Sequence, residues 1–213
     1  MVIKPFESDI YENLRSFFDV QGYVLMPDKK QFRKITDTGF HNVIFTTTAY
    51  ENEVWLEVNL GCRNHQVEQI AQQFLGNTRD FWTDSNSLVI SIGKFNNAKY
   101  FRYKMATNSD VLDVCEEVKD FLVSQGFPFL NNLETLPRLH EVYNKTPTKP
   151  CKFLYNQVHR CFKGIITAKL IYSEDFLDLA DTHRSTLMKI GATDEELLTF
   201  ERLLSYLLYL SIN

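Results

Sequence analysis

The stretch "GCRNH" at 61–65 sets a thiol and an imidazole three residues apart, Cys62 and His65. A cysteine ending a strand just ahead of a helix would feel the positive end of the helix dipole, which favours the thiolate, the nucleophilic form. A histidine one turn away would then serve as its base. The pattern names no third residue to orient that histidine, and a cysteine at a strand end also packs readily in a core. The other histidines, His41, His140, His159 and His183, fall at no metal-ligand spacing, and no phosphate-binding loop, dinucleotide fingerprint or serine-nucleophile motif is present. No metal and no cofactor is therefore expected.

A second candidate is electrostatic. Residues 145–169, "KTPTKPCKFLYNQVHRCFKGIITAK", hold six Lys or Arg and no acid. On a helix over 150–172, Lys152, Arg160 and Lys163 fall within about 80° of one another at about 100° per residue. Such a basic face would meet phosphates or an acidic partner protein. Cys151, Leu154, Val158, Cys161 and Ile165 form the apolar seam of the same helix. Its two cysteines lie about 15 Å apart at about 1.5 Å per residue, too far to share a metal or a disulfide. The next helix carries Glu174, Asp175, Asp178 and Asp181, so the two charged faces can also compensate each other internally.

A third candidate is a sheet face. In "EVWLEVNLG" (53–61), alternation puts Val54, Leu56, Val58 and Leu60 on one side and Trp55, Glu57 and Asn59 on the other. Thr46 and Thr48 of the preceding strand share that second side. A polar face bearing a tryptophan is either covered by the C-terminal helices or offered to a ligand.

The elements that would position these groups are well punctuated. Helices are predicted over 8–21, 64–75 and 109–125, each ending on a glycine (Gly22, Gly76, Gly126) suited to a left-handed exit. Ser8 is the expected cap of the first. Strands are predicted at 32–36, at 40–50 and 53–61 as one hairpin, and at 87–95 and 99–105 as a second. The resulting order, α-β-β-β-α-β-β-α, is an α+β fold with an antiparallel sheet of about five strands. After Gly126 the chain reads as helical only: a short helix within 131–144, then helices over 150–172, 174–190 and 194–211. Ser173 would cap the second of these three, Gly191 would close it, and Thr193 with Glu196 forms a capping box for the third. The boundary between the α+β part (1–144) and the C-terminal helical region (145–213) is placed at "NKTPTKP", with the two packed as one globular unit.

The run "LRSFFDVQGYVLMPDKKQFRKI", the hairpin end "VWLEVNLGC" and the later "FLVSQGFPFL" together resemble a bacterial α+β domain family of unknown function, over about residues 8–135. The shared features are a helix ending in glycine plus an aromatic, a strand with a basic pair (Arg33, Lys34), and a hairpin closing on Asn59, Leu60 and Gly61. Cys62 stands where that family would have an aliphatic residue. The resemblance implies the α+β fold and no activity.

A net charge of −4 provides no global attraction for nucleic acid or anionic membranes, and four cysteines in 213 residues are not a disulfide framework. The N-terminus lacks a signal-peptide pattern, and "LLSYLLYLSI" is too short to span a bilayer. The expectation is a soluble cytoplasmic protein, a non-enzymatic protein-interaction module of accessory or immunity type. Its candidate partner-binding residues are Lys152, Arg160, Lys163, Trp55, Glu57 and Asn59. Two alternatives stay open: a cysteine enzyme using Cys62 and His65, and a weak nucleic-acid binder using the basic face of helix 150–172. The last helix, with Leu197, Phe200, Leu204, Leu207 and Leu208 on a seam widened by Leu203, Tyr206, Tyr209 and Leu210, is apolar nearly all round. A helix of that kind is buried or shared between copies, so self-association through it is the expectation wherever the fold leaves it uncovered.

Overall fold

A computed structural model of the chain describes residues 5–98 and 100–211. It is α+β, with an open antiparallel sheet followed by helices. The described chain divides into two compact units. One is formed by the chain up to Cys62 together with Val89–Asn132, the other by Arg63–Leu88 together with the chain from Leu133 onward. This differs from a single boundary near 144: residues 63–88 and 133–144 group with the C-terminal helices.

In the first unit, helix α1 (Pro5–Val20) precedes strands β1 (Val24–Met26), β2 (Gln31–Thr36), β3 (Gly39–Ala49) and β4 (Val54–Asn64), which leads out of the unit. The chain returns through β5 (Leu88–Ser91), the short helix α3 (Ile92–Phe95), β6 (Tyr103–Met105), α4 (Asn108–Phe121) and α5 (Phe127–Asn132). The sheet order is β1-β2-β3-β4-β5, with β6 paired to β4. The hairpin of β3 and β4 forms as expected, closed by Tyr50 N–H donating to the Glu53 carbonyl at 2.8 Å. The second expected hairpin does not. Residues 92–95 turn helical because Ser91 caps them, its hydroxyl accepting from Lys94 N–H at 3.2 Å. β5 and β6 each pair with β4 instead.

The end of α1 follows its residue chemistry closely. Gly22 takes φ +78°, and Tyr23 N–H reaches back to the Phe18 carbonyl at 2.9 Å while the two rings lie 5.5 Å apart. This is the glycine-terminated Schellman arrangement with its apolar clasp. The look-alike segment at Gly126 behaves otherwise. Gly126 keeps a helical backbone, and a π-helical turn over Leu122–Gly126 carries the chain straight into α5. Here the glycine is needed for close approach: a Cβ would stand 3.0 Å from the Leu122 side chain and 3.3 Å from the Phe121 ring. The core beneath is aromatic, with Phe18 stacked on Phe32 at 4.0 Å and Tyr11 set edge-on to Phe32 and Phe45 at 6.1 Å each.

The second unit is built from α2 (His65–Ala71), α6 (Leu136–Asn144), α7 (Gln157–Leu170), α8 (Phe176–Lys189) and α9 (Asp194–Tyr209). α7 packs against α2, α6, α8 and α9, and every residue from Arg160 to Ala168 is buried. It starts later than expected, at Gln157, whose side-chain amide holds the preceding loop by bonding Cys151 N–H at 2.8 Å and the Leu154 carbonyl at 2.7 Å. Asn156 caps it, accepting from His159 N–H at 3.1 Å. The Thr193–Glu196 capping box opens α9 and Gly191, at φ +77°, closes α8; Ser173 caps nothing, α8 beginning after Asp175. Among the described residues no helix is long and apolar enough to cross a membrane.

α9 is less uniformly covered than its sequence implies. Phe200, Leu203, Leu204 and Leu207 are buried, Phe162 meeting Phe200 at 5.3 Å, whereas Leu208 and Tyr209 are 57% and 89% exposed. Phe200→Ala should therefore cost about 3–5 kcal/mol through the cavity it leaves, while Leu208→Ala should stay within about 0.5 kcal/mol of the parent. Urea denaturation of the two variants checks the contrast.

A buried polar knot joins α6, α7 and α8. Asn144 donates to the Gly164 carbonyl at 2.9 Å and its Oδ1 bonds His183 Nε2 at 2.7 Å. Burial first, and then the nearby charges of Arg160 and His140, push the His183 imidazole down to about 3. In the first unit, burial and then Lys34 push His41 down to about 4. Both histidines are thus neutral when folded and take up protons readily when unfolded, so their contribution is fully present above about pH 6.5 and lost as pH falls toward those values. The urea midpoint should drop between pH 6.5 and 4, and His183→Gln should reduce that drop.

Candidate functional site

The surviving candidate surface is the outer face of β4 in the first unit. Trp55, Glu57 and Asn59 are half-buried on that face, opposite the buried Val54, Leu56, Val58 and Leu60, as alternation requires. Thr46 and Thr48 of β3 are exposed on the same side. β6 extends the face by pairing Lys104 directly with Trp55 and Tyr103 with Leu56. The Lys104 ammonium lies 4.8 Å from the indole centre, a cation–π distance. Tyr50 packs on the indole at 4.7 Å, and Trp55 Nε1–H donates to Glu53 Oε1 at 2.6 Å. Beside them Arg102 pairs with Glu57 at 3.2 Å. The indole is thus pinned in one orientation by a carboxylate, a phenol ring and an ammonium.

Sequence alternation identifies Trp55, Glu57 and Asn59 but misses Tyr50, Arg102 and Lys104. Lys104 alternates with buried Tyr103 and Met105, so its outward direction was readable. Its neighbour is not readable, because the sequence predicts a hairpin of β5 with β6 whereas β6 pairs with β4.

The other candidates land elsewhere. Cys62 keeps the parity of Leu56, Val58 and Leu60, points to the core and is 3% exposed, which denies a nucleophile access to substrate. His65 opens α2 in the second unit, exposed, with Nδ1 accepting from Arg63 Nε at 3.2 Å. All four cysteines are buried thiols, and burial pushes Cys115 and Cys161 up to about 11 each. Among the described residues no group of three or more His, Cys, Asp or Glu could hold a metal ion.

The basic face of α7 does not form. Lys152 precedes the helix, and Arg160 and Lys163 are 1% and 3% exposed. Arg160 donates to the carbonyls of Tyr143 (3.0 Å), Thr146 (3.1 Å) and Pro147 (2.8 Å), stitching the end of α6 to α7. Lys163 donates to the Asn86 carbonyl at 2.9 Å and stands 2.8 Å from Glu68 Oε1, an ion pair by proximity rather than an aligned hydrogen bond. Glu68, fully buried, takes further bonds at Oε2 from Gln72 (2.7 Å) and Ser85 (3.1 Å). Of the acids predicted for that helix, Asp181 contacts Arg184, which also bonds Glu201 of α9 through NH2 at 3.0 Å. Helical periodicity finds which side of α7 bears the cations, but the helix is surrounded, so that side is also interior.

Compared with protein-family models, curated proteins and solved structures, the chain matches none.

The Glu68–Lys163 pair yields a test of its structural role. Lys163→Met should destabilise the protein by about 3–5 kcal/mol, because it strands a buried carboxylate. Adding Glu68→Gln should recover part of that loss, and a double-mutant cycle in urea measures the coupling.

Proposed function

We propose that this chain is a non-enzymatic protein-interaction module of accessory or immunity type, acting in the cytoplasm and binding its partner through the outer face of β4 and β6. One observation carries the reading: Trp55 is held rigid by Glu53, Tyr50 and Lys104 on a face where Tyr50 is 48% exposed and Thr46 and Thr48 are open. Tryptophan, tyrosine and arginine dominate the energetics of protein interfaces, and an aromatic already locked in place loses little entropy on binding. Hydroxyls and the Glu57–Arg102 pair around it supply the polar rim such interfaces carry.

The test is site-specific photocrosslinking in the producing cell, with a benzophenone side chain at Thr48. A discrete protein adduct that disappears with Trp55→Ala, while the variant keeps its melting temperature, is the expected result. An adduct indifferent to Trp55→Ala, an adduct to nucleic acid, or none at all would overturn the reading.

A further inference from the structure

We propose that the second unit carries a binding site for a small planar heteroaromatic ligand bearing an oxyanion, of nucleoside-monophosphate chemistry. The site is a cleft of about 340 Å³ lined by Arg63, His65, Glu68, Gln72 and Trp82, with Gln69 and Thr83 at its rim. That volume lies at the small end of ligand pockets, roughly 300–1,000 Å³. It belongs to a different unit from the Trp55 surface and does not depend on the protein-interaction reading.

Its floor is held by a network of polar contacts. Glu68 is tied by Lys163, Gln72 and Ser85, and Gln72 in turn accepts from Asn77 Nδ2 at 2.9 Å. Trp82 is oriented as well, its Nε1–H donating to the Asn77 carbonyl at 3.1 Å. A fixed, half-buried indole lining a cleft is a stacking platform for a flat ring, and stacking of this kind tolerates any heterocycle.

The charged end is built by Arg63 and His65. Arg63 NH1 is held by the Ser85 carbonyl at 2.7 Å and hydroxyl at 2.8 Å. Its Nε donates to His65 Nδ1 at 3.2 Å, which makes that nitrogen the acceptor and leaves the neutral ring's proton on Nε2. The imidazole therefore presents an N–H donor beside a guanidinium whose orientation is already set. A donor and a cation held together favour an oxyanion through charge-assisted hydrogen bonds. The Glu68 charge is offset by Lys163, 2.8 Å away.

In a Trp55→Phe background Trp82 is the remaining tryptophan of the chain's two, so its fluorescence reports on this cleft alone. Titration with adenosine monophosphate should give a saturable change, and adenosine or inorganic phosphate alone should bind about tenfold or more weakly. His65→Ala should weaken the monophosphate by about tenfold with the protein still folded by its urea transition, and His65→Gln, which restores a donor, should recover most of the affinity. No saturable response to the adenine, guanine, cytosine or uracil monophosphate would overturn the proposal. So would a response that His65→Ala leaves intact, or inorganic phosphate binding as tightly as the nucleotide.

Discussion

Helix α7 buries two cations in one helix, and the second unit is arranged around satisfying them. An uncompensated charge in a protein interior costs several kcal/mol at least, so Arg160 and Lys163 can be interior only where acceptors converge. Arg160 finds three carbonyls where α6 ends, the place where a helix leaves its last carbonyls without partners and where its dipole is negative. Lys163 finds the carbonyl of Asn86 and the carboxylate of Glu68 on segments distant in sequence. The two residues thereby link α6, the 85–87 segment and α2 to a single helix. Apolar contacts such as Phe162 with Phe200 add α9.

The first unit is held by different means. Its interior is a cluster of rings in which Phe18, Phe32, Phe45 and Tyr11 interlock in stacked and edge-on pairs. Such a core is indifferent to the chemistry of the opposite sheet face, and β4 can carry tryptophan, glutamate and asparagine there. Among its buried polar residues Glu7 pairs with Lys30 at 2.7 Å and accepts from Thr47. The proposed partner surface of this unit therefore lies on the outer face of its sheet, and the proposed ligand cleft of the second unit lies where polar groups bonded to α7 come near the surface.

"GCRNH" supplies residues to both units, and its outcome separates local from non-local information. The cysteine follows strand parity into the core. The arginine and histidine, past the end of the strand's core alternation, make a hydrogen-bonded pair at the edge of the cleft. The chemistry the sequence pointed to, a thiolate with its base, is replaced by an arginine that sets a histidine tautomer.

What the sequence determined by itself is whatever depends on neighbours a few residues apart. The Schellman end at Gly22, the capping box at Thr193 and Glu196, the left-handed close at Gly191, the β3–β4 hairpin and the two faces of β4 all follow from backbone hydrogen bonding and side-chain periodicity. Only the tertiary structure decided which strand β6 joins, that Gly126 serves close packing rather than a helix stop, and that the cations of α7 point inward. A period of 3.6 residues tells which side chains share a side of a helix. It carries no information on how many sides other helices will cover. Burial of Arg160 and Lys163 depends on carbonyls and a carboxylate brought in from segments up to 95 positions away in sequence (163 − 68), and no local pattern encodes that meeting.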